Sequence, residues 1–112
     1  MEIIFKNSKT EKLINSDKEL NKKYPVKVAK TVKLRMTQLI AFNDFSQVTH
    51  LPPLRLHKLT GDRSHQYAVD VSEKYRLVFE ILDEEGLAIK DPEYPRNLVH
   101  IIKIIEVVNY HV

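Results

Sequence analysis

The sequence predicts a small α+β domain with an antiparallel sheet and its helices packed on one face. Three observations lead there. Apolar residues recur at three- and four-residue steps from Val28 to Ile40, the spacing of a helix face. They alternate along 66–71 and 74–82, the spacing of strands. The stretch VHIIKIIEVV, residues 99–108, is apolar at both parities, as a strand covered on two faces must be. Strand, helices, then three strands is an order that segregates the two kinds of element.

Each element has its own local reason. Residues 2–6 (EIIFK) are β-branched and aromatic, which predicts a first strand. Lys9 to Tyr24 is polar around Leu13, Ile14 and Leu20. Ser16 and Glu19 have capping-box spacing, so one short helix should stop near Asn15 and a second begin there. Pro25 suits a helix start, and 25–43 should be amphipathic: Val28, Ala29, Val32, Met36, Leu39 and Ile40 form the stripe, with Lys27, Lys30, Lys33 and Arg35 mostly off it. Pro52 and Pro53 forbid a long helix in 50–60, which reads as an extended connection. Tyr67, Val69 and Val71 share one strand face. Tyr75, Leu77, Phe79 and Ile81 share another, with Ser72-Glu73 as the turn between them. Arg76 has the opposite parity and points to the other side of the sheet. Residues 83–97 are acidic, hold Pro92 and Pro95, and read as a long excursion.

Composition removes several classes of function. The 112 residues suffice for one domain, 1–112, without linker or repeat. At 43% apolar and 29% charged the chain should fold rather than stay disordered. Without cysteine it has no disulfide, thiolate nucleophile or Cys-ligated zinc, and with two glycines it has no Gly-rich phosphate cradle. No apolar run approaches the ~20 residues of a membrane span. MEIIFKNSKTEK does not read as a signal peptide, so a cytoplasmic protein is expected. Charge is segregated: residues 1–36 hold ten Lys/Arg against four Asp/Glu, whereas 83–93 hold five acids and one lysine. On charge alone the basic helices read as a solvated outer face before they read as a polyanion site.

The residues able to do chemistry are few. No histidine pair has helical metal-site spacing, and no metal is expected. His50, His65 and His100 read as structural. Arg76 lies mid-strand, where a guanidinium is costly unless it is used. If strand 99–108 returns beside strand 74–82, Arg76 and the Tyr110-His111 end share one open face, near Arg55, His57, Lys58 and Arg63. Cations neutralise developing charge on a phosphoryl group, histidine moves protons near neutral pH, and tyrosine stacks on bases. Each has a plain alternative. His57 can bond backbone, Arg76 can pair with Glu80 or with an acid across the sheet, and Tyr110-His111 can be a frayed end.

LRLHKLTGDRSHQYAVDVSEKYRLVFEI, followed by IIEVVNYH at the end of the chain, resembles the HigB-type plasmid maintenance killer toxins of the RelE/ParE superfamily. The resemblance is continuous over 54–82 and resumes at 104–111. It implies a RelE-like β-α-α-β-β-β domain that enters the ribosomal A site and cuts translated mRNA. It further implies 2′-hydroxyl attack without metal or cofactor, and a HigA-like helix-turn-helix antitoxin as partner. Carried over by position, His57, Arg76, Tyr110 and His111 are the catalytic set: the histidines for proton transfer or orientation, Arg76 for the phosphate, Tyr110 for stacking. Arg55, Lys58, Arg63, Lys27, Lys30 and Lys33 would contact RNA, the helical lysines facing that of the 70S ribosome. Three features depart from the family pattern. Thr60 stands where many members have lysine, Asn109 stands where they have aspartate, and the acidic excursion is long. They leave open a ParE-like toxin acting on DNA gyrase, or a degenerate member that only binds antitoxin or RNA.

Overall fold

A computed structural model describes residues 1–110. The order is β1 (Glu2–Phe5), α1 (Ser8–Ile14), α2 (Asp17–Lys23), α3 (Val26–Ala41), β2 (His57–Lys58), β3 (Gln66–Asp70), β4 (Tyr75–Leu82) and β5 (Ile101–Asn109). Short 3-10 turns at Phe45–Gln47, Gly61–Arg63 and Arg96–Leu98 join them. The five strands form one sheet in the order β1-β5-β4-β3-β2.

Helix boundaries fall where side chains can replace missing backbone partners. The Asn7 side chain accepts from Thr10 N at 2.9 Å and starts α1. Ser16 Oγ accepts from Glu19 N at 3.1 Å and starts α2, so half of the expected capping box forms. Pro25 sits one residue ahead of α3 as its N-cap. At the other end of α3, the Met1 amino group donates to the carbonyls of Leu39 (3.2 Å), Ile40 (2.8 Å) and Phe42. It supplies the cation that the helix lacks in its last turn.

The helices cover one sheet face. Leu20, Val28, Val32 and Leu39 pack with Tyr67, Val69, Leu77, Phe79, Ile81, Ile102 and Ile104 in the main core. Phe45 closes it, edge-on to both Tyr67 and Phe79. The opposite face carries only a small apolar cluster of Leu59, Ala68, Val78 and Ile105. β4 and β5 pair with a bulge: Phe79 opposes Ile104, but Val78 opposes Glu106, leaving Ile105 as the extra residue. The bulge explains the double parity of β5. Before it, Ile102 and Ile104 serve the main core; after it, Val107 does, while Ile105 and Val108 join the open-face cluster.

Several expectations change. Where the order implied by the resemblance has two helices, the chain forms the three that its own residues predict. The connection through 50–60 contains a fifth strand, β2, too short to show a period. β1 pairs parallel with β5, so the sheet is mixed rather than antiparallel throughout. Residues 83–97 do form an excursion, with one bridge from Ala88 back to Leu82. Arg35, placed off the apolar stripe, is 5% exposed. Its Nε donates to the Asp70 carbonyl at 2.6 Å, and its terminal nitrogens reach Gln38 Oε1 at 3.0 Å and Pro53 O at 3.4 Å. Burial lowers its pKa, an effect opposed by the Asp70 charge. Arg35 thus ties α3 to the end of β3. Arg35→Ala should cost about 2–4 kcal/mol of stability, because it strands a carbonyl and opens a cavity. Urea unfolding checks this; an unchanged midpoint would contradict it.

Candidate active site

The open sheet face gathers its charges by strand parity. Gln66, Ala68 and Asp70 face away from the helices, and Asp70 stands directly opposite Arg76 in the β3–β4 register. His57 is paired with Ala68 and so lies on the same side. The result centres on the Asp70 carboxylate. Its Oδ1 lies 3.0 Å from His57 Nε2 and 3.5 Å from Arg76 Nε, and its Oδ2 lies 3.5 Å from Arg55 Nε. The Asp70 backbone is held too: its N–H donates to Leu54 O at 2.8 Å, and its carbonyl accepts from Arg35. One carboxylate cannot neutralise two guanidiniums, so the cluster stays cationic. Arg55 adopts a left-handed φ of 47°, a backbone cost of order 1 kcal/mol for a non-glycine residue.

Tyr110 completes the group. Its N–H donates to Lys74 O at 2.7 Å, which fixes the chain end beside β4. The Arg76 guanidinium lies 4.5 Å from the Tyr110 ring centroid. Around them opens a cleft of about 390 Å³, bordered by His57, Lys58, Thr60, Arg63, Arg76 and Tyr110 among others. The expected convergence of Arg76 with the chain end therefore holds for Tyr110. His111 lies outside the described residues.

The remaining expected residues divide. Arg55 joins through Asp70. Lys58 borders the cleft, with its Nζ donating to Ser64 O at 3.0 Å, and Arg63 pairs with Glu106 at 2.5 Å. Thr60 and Asn109, the departures from the family pattern, both line the cleft. Lys27, Lys30 and Lys33 are exposed on α3, across the sheet from the cleft, and Lys33 pairs with Asp17 at 2.7 Å. They belong to a different surface. Asp70 is the residue that sequence reading missed. Its signal was available: it shares parity with Gln66 and Ala68 and ends a strand that must pair with the one carrying Arg76. Of the two plain alternatives given for Arg76, it takes the acid across the sheet and not Glu80.

A second polar network lies along the same face. Glu80, 8% exposed, meets His65 Nε2 at 3.1 Å, Gln66 Nε2 at 3.1 Å and Lys103 Nζ at 3.4 Å. Burial pushes its pKa up, but the Gln66 hydrogen bond, the Lys103 charge and hydrogen bond, and His65 outweigh that, leaving it below the ordinary value. A depressed carboxylate pKa stabilises the fold above the unfolded value and loses that contribution as pH falls through the folded one. Glu80→Gln should therefore lower stability at pH 7 by about 1–2 kcal/mol, and the gap to the parent should close below about pH 4. Urea midpoints across pH 3–7 check this; a gap that stays constant would contradict it.

No family model matches the chain, and no curated protein matches it in sequence. Among solved structures it is similar to the YoeB/ParE toxin from Agrobacterium tumefaciens, with a TM-score of 0.56 and 8% identity over 99% of this chain and 100% of that one. It is also similar to the YoeB-YefM complex from Staphylococcus aureus, with a TM-score of 0.55 and 14% identity over 100% of this chain and 98% of the other. At such identities the likeness is one of fold. The α+β architecture of this chain is that of YoeB/ParE toxins, matched from end to end.

Proposed function

We propose that this protein is the HigB-type toxin of a type II toxin–antitoxin pair, an endoribonuclease that cuts mRNA during translation. The observation that carries this reading is the cleft. There two guanidiniums and an imidazole meet at one carboxylate, and the Tyr110 ring lies against one of the guanidiniums, on a sheet face that no helix covers. Fold likeness to the YoeB/ParE toxins supports the same reading. So does the string of motifs from Leu54 to His111.

The chemistry follows from the geometry. Asp70 accepts a proton-bearing Nε2 from His57, which leaves Nδ1 as the basic nitrogen. In this tautomer His57 takes the proton of a ribose 2′-hydroxyl. The freed 2′-oxygen bonds to the adjacent phosphorus, and the bond to the 5′-oxygen breaks, leaving a cyclic phosphate. His111 is assigned the proton that the departing 5′-oxygen needs. Arg76 faces the phosphoryl oxygens as their charge grows, a stabilisation worth ~3 kcal/mol for one preorganised donor. Tyr110, still 37% exposed, supports the Arg76 guanidinium and offers its ring to an unpaired base. No metal or cofactor is assigned a role. The exposed lysines of α3 face ribosomal RNA, and a HigA-like helix-turn-helix antitoxin is the partner that silences the toxin. Both proteins act in the cytoplasm, where translation supplies the substrate.

In-vitro translation of a defined message, read by primer extension, tests this. The wild type should cut within the reading frame, and only while translation runs. Arg76→Ala and His57→Ala, with unchanged circular dichroism, should each slow cutting by about a hundredfold or more. Full-rate cutting by both variants would overturn the site assignment. Intact message with double-strand DNA breaks would instead select action on gyrase.

A further inference from the structure

The cleft does not exhaust the cationic surface beside β2. This strand ends the sheet, and its two residues face opposite ways. His57, opposite Ala68, belongs to the open face; Lys58, opposite Tyr67, belongs to the other. On the Lys58 side lies a second groove of about 420 Å³, whose lining includes Ser46, Thr49, His50, Lys58, Tyr67 and Arg96. Lys58 borders both grooves, so they meet around the edge of the sheet.

Arg96 gives this groove its character. It stands at the return of the acidic excursion, with its guanidinium 5.1 Å from the Phe45 ring centroid and 5.9 Å from that of Tyr67. Phe45 is fully buried and Tyr67 nearly so, so the cation rests on a rigid platform. Among the described residues no carboxylate pairs with it. None lines the groove either. The nearby acid Asp44 is engaged in capping the 45–47 turn, where it accepts from Ser46 N at 2.8 Å. A flat, preoriented guanidinium without a carboxylate partner, beside an imidazole and the Thr49 hydroxyl, suits a phosphodiester, while the Ser46 hydroxyl is already donated to Asp44.

We propose that this groove is a second phosphate-binding subsite, for the same RNA strand whose scissile linkage occupies the cleft. The strand crosses the β2 edge at Lys58, and Arg96 holds a phosphate beyond it. This rests on the reading of the cleft as an RNA site. It also gives the long excursion a purpose that the family resemblance lacks: it delivers Arg96.

The test is fluorescence anisotropy on the full chain, with an uncleavable dinucleotide and octanucleotide carrying a 2′-deoxy sugar at the cut position. Arg96→Ala should weaken octanucleotide binding by roughly five- to tenfold and lower its salt slope by about 0.7, the loss of one phosphate contact. Dinucleotide binding should be unchanged, and Arg96→Lys should recover part of the loss. Arg76→Ala should weaken both ligands. An Arg96→Ala variant that binds the octanucleotide like the parent, or loses both lengths equally, overturns the second subsite. Preferential binding of a polyglutamate peptide, abolished by Arg96→Ala, would assign the groove to an acidic protein segment and overturn it too. If instead Arg76→Ala leaves dinucleotide binding intact, it is the cleft reading that fails.

Discussion

The Asp70 carboxylate holds together groups that arrive from three separate stretches of chain. Arg55 and His57 come from the entry and first residue of β2, Arg76 from the start of β4 rather than the mid-strand position expected, and Tyr110 from beyond β5 by stacking on Arg76. Left alone, the two guanidiniums would repel one another. A single negative charge between them holds them near 3–3.5 Å while leaving the cluster net positive. The position of Asp70 is itself fixed from below, by buried Arg35 on its carbonyl. Helix packing on one face of the sheet is thereby coupled to the geometry of the other.

The bulge at Ile105 is the second constraint. Because side chains alternate along a strand, one extra residue exchanges the faces of everything after it. With the bulge, Val108 stands opposite Arg76 and Asn109 opposite Tyr75, which returns Tyr110 to the side of Arg76. Without it, Tyr110 would turn toward the helix layer and away from the cleft. A local irregularity in the longest strand thus decides whether the site closes.

Much of this was legible in the sequence, where a period runs long enough to be read. The α3 stripe and the alternation of β3 and β4 placed the main core and put Arg76 on the open face. The double parity of 99–108 predicted a strand covered on both faces, but the helices cover one face only, and the bulge at Ile105 accounts for the second parity. What escaped reading depends on contacts between distant segments. β2 has two residues and no period. The parallel pairing of β1 with β5 follows from where the helices return the chain. Arg35, read as polar and off the apolar stripe, follows Val32 by three residues and precedes Leu39 by four, so it lies on the buried side of α3, where its guanidinium finds partners in other segments. Asp70 stands out only once register sets it opposite Arg76. The family resemblance singled out His57, Arg76, Tyr110 and His111; the first three border one cleft, and His111 lies outside the described residues.

Fold likeness to the YoeB/ParE toxins and the Asp70-centred cleft bear on function in different ways. The likeness supplies the scaffold alone; the proposal that RNA binds one particular face of it rests on the cleft. The most direct test of that proposal is nitrogen-15 NMR of the arginine Nε and histidine ring resonances, during titration with a short message fragment made uncleavable by a 2′-deoxy sugar. The account predicts saturable shifts at Arg76 and His57 with a common midpoint. Saturation that leaves both unmoved, with shifts confined to the lysine-rich helices, would contradict it.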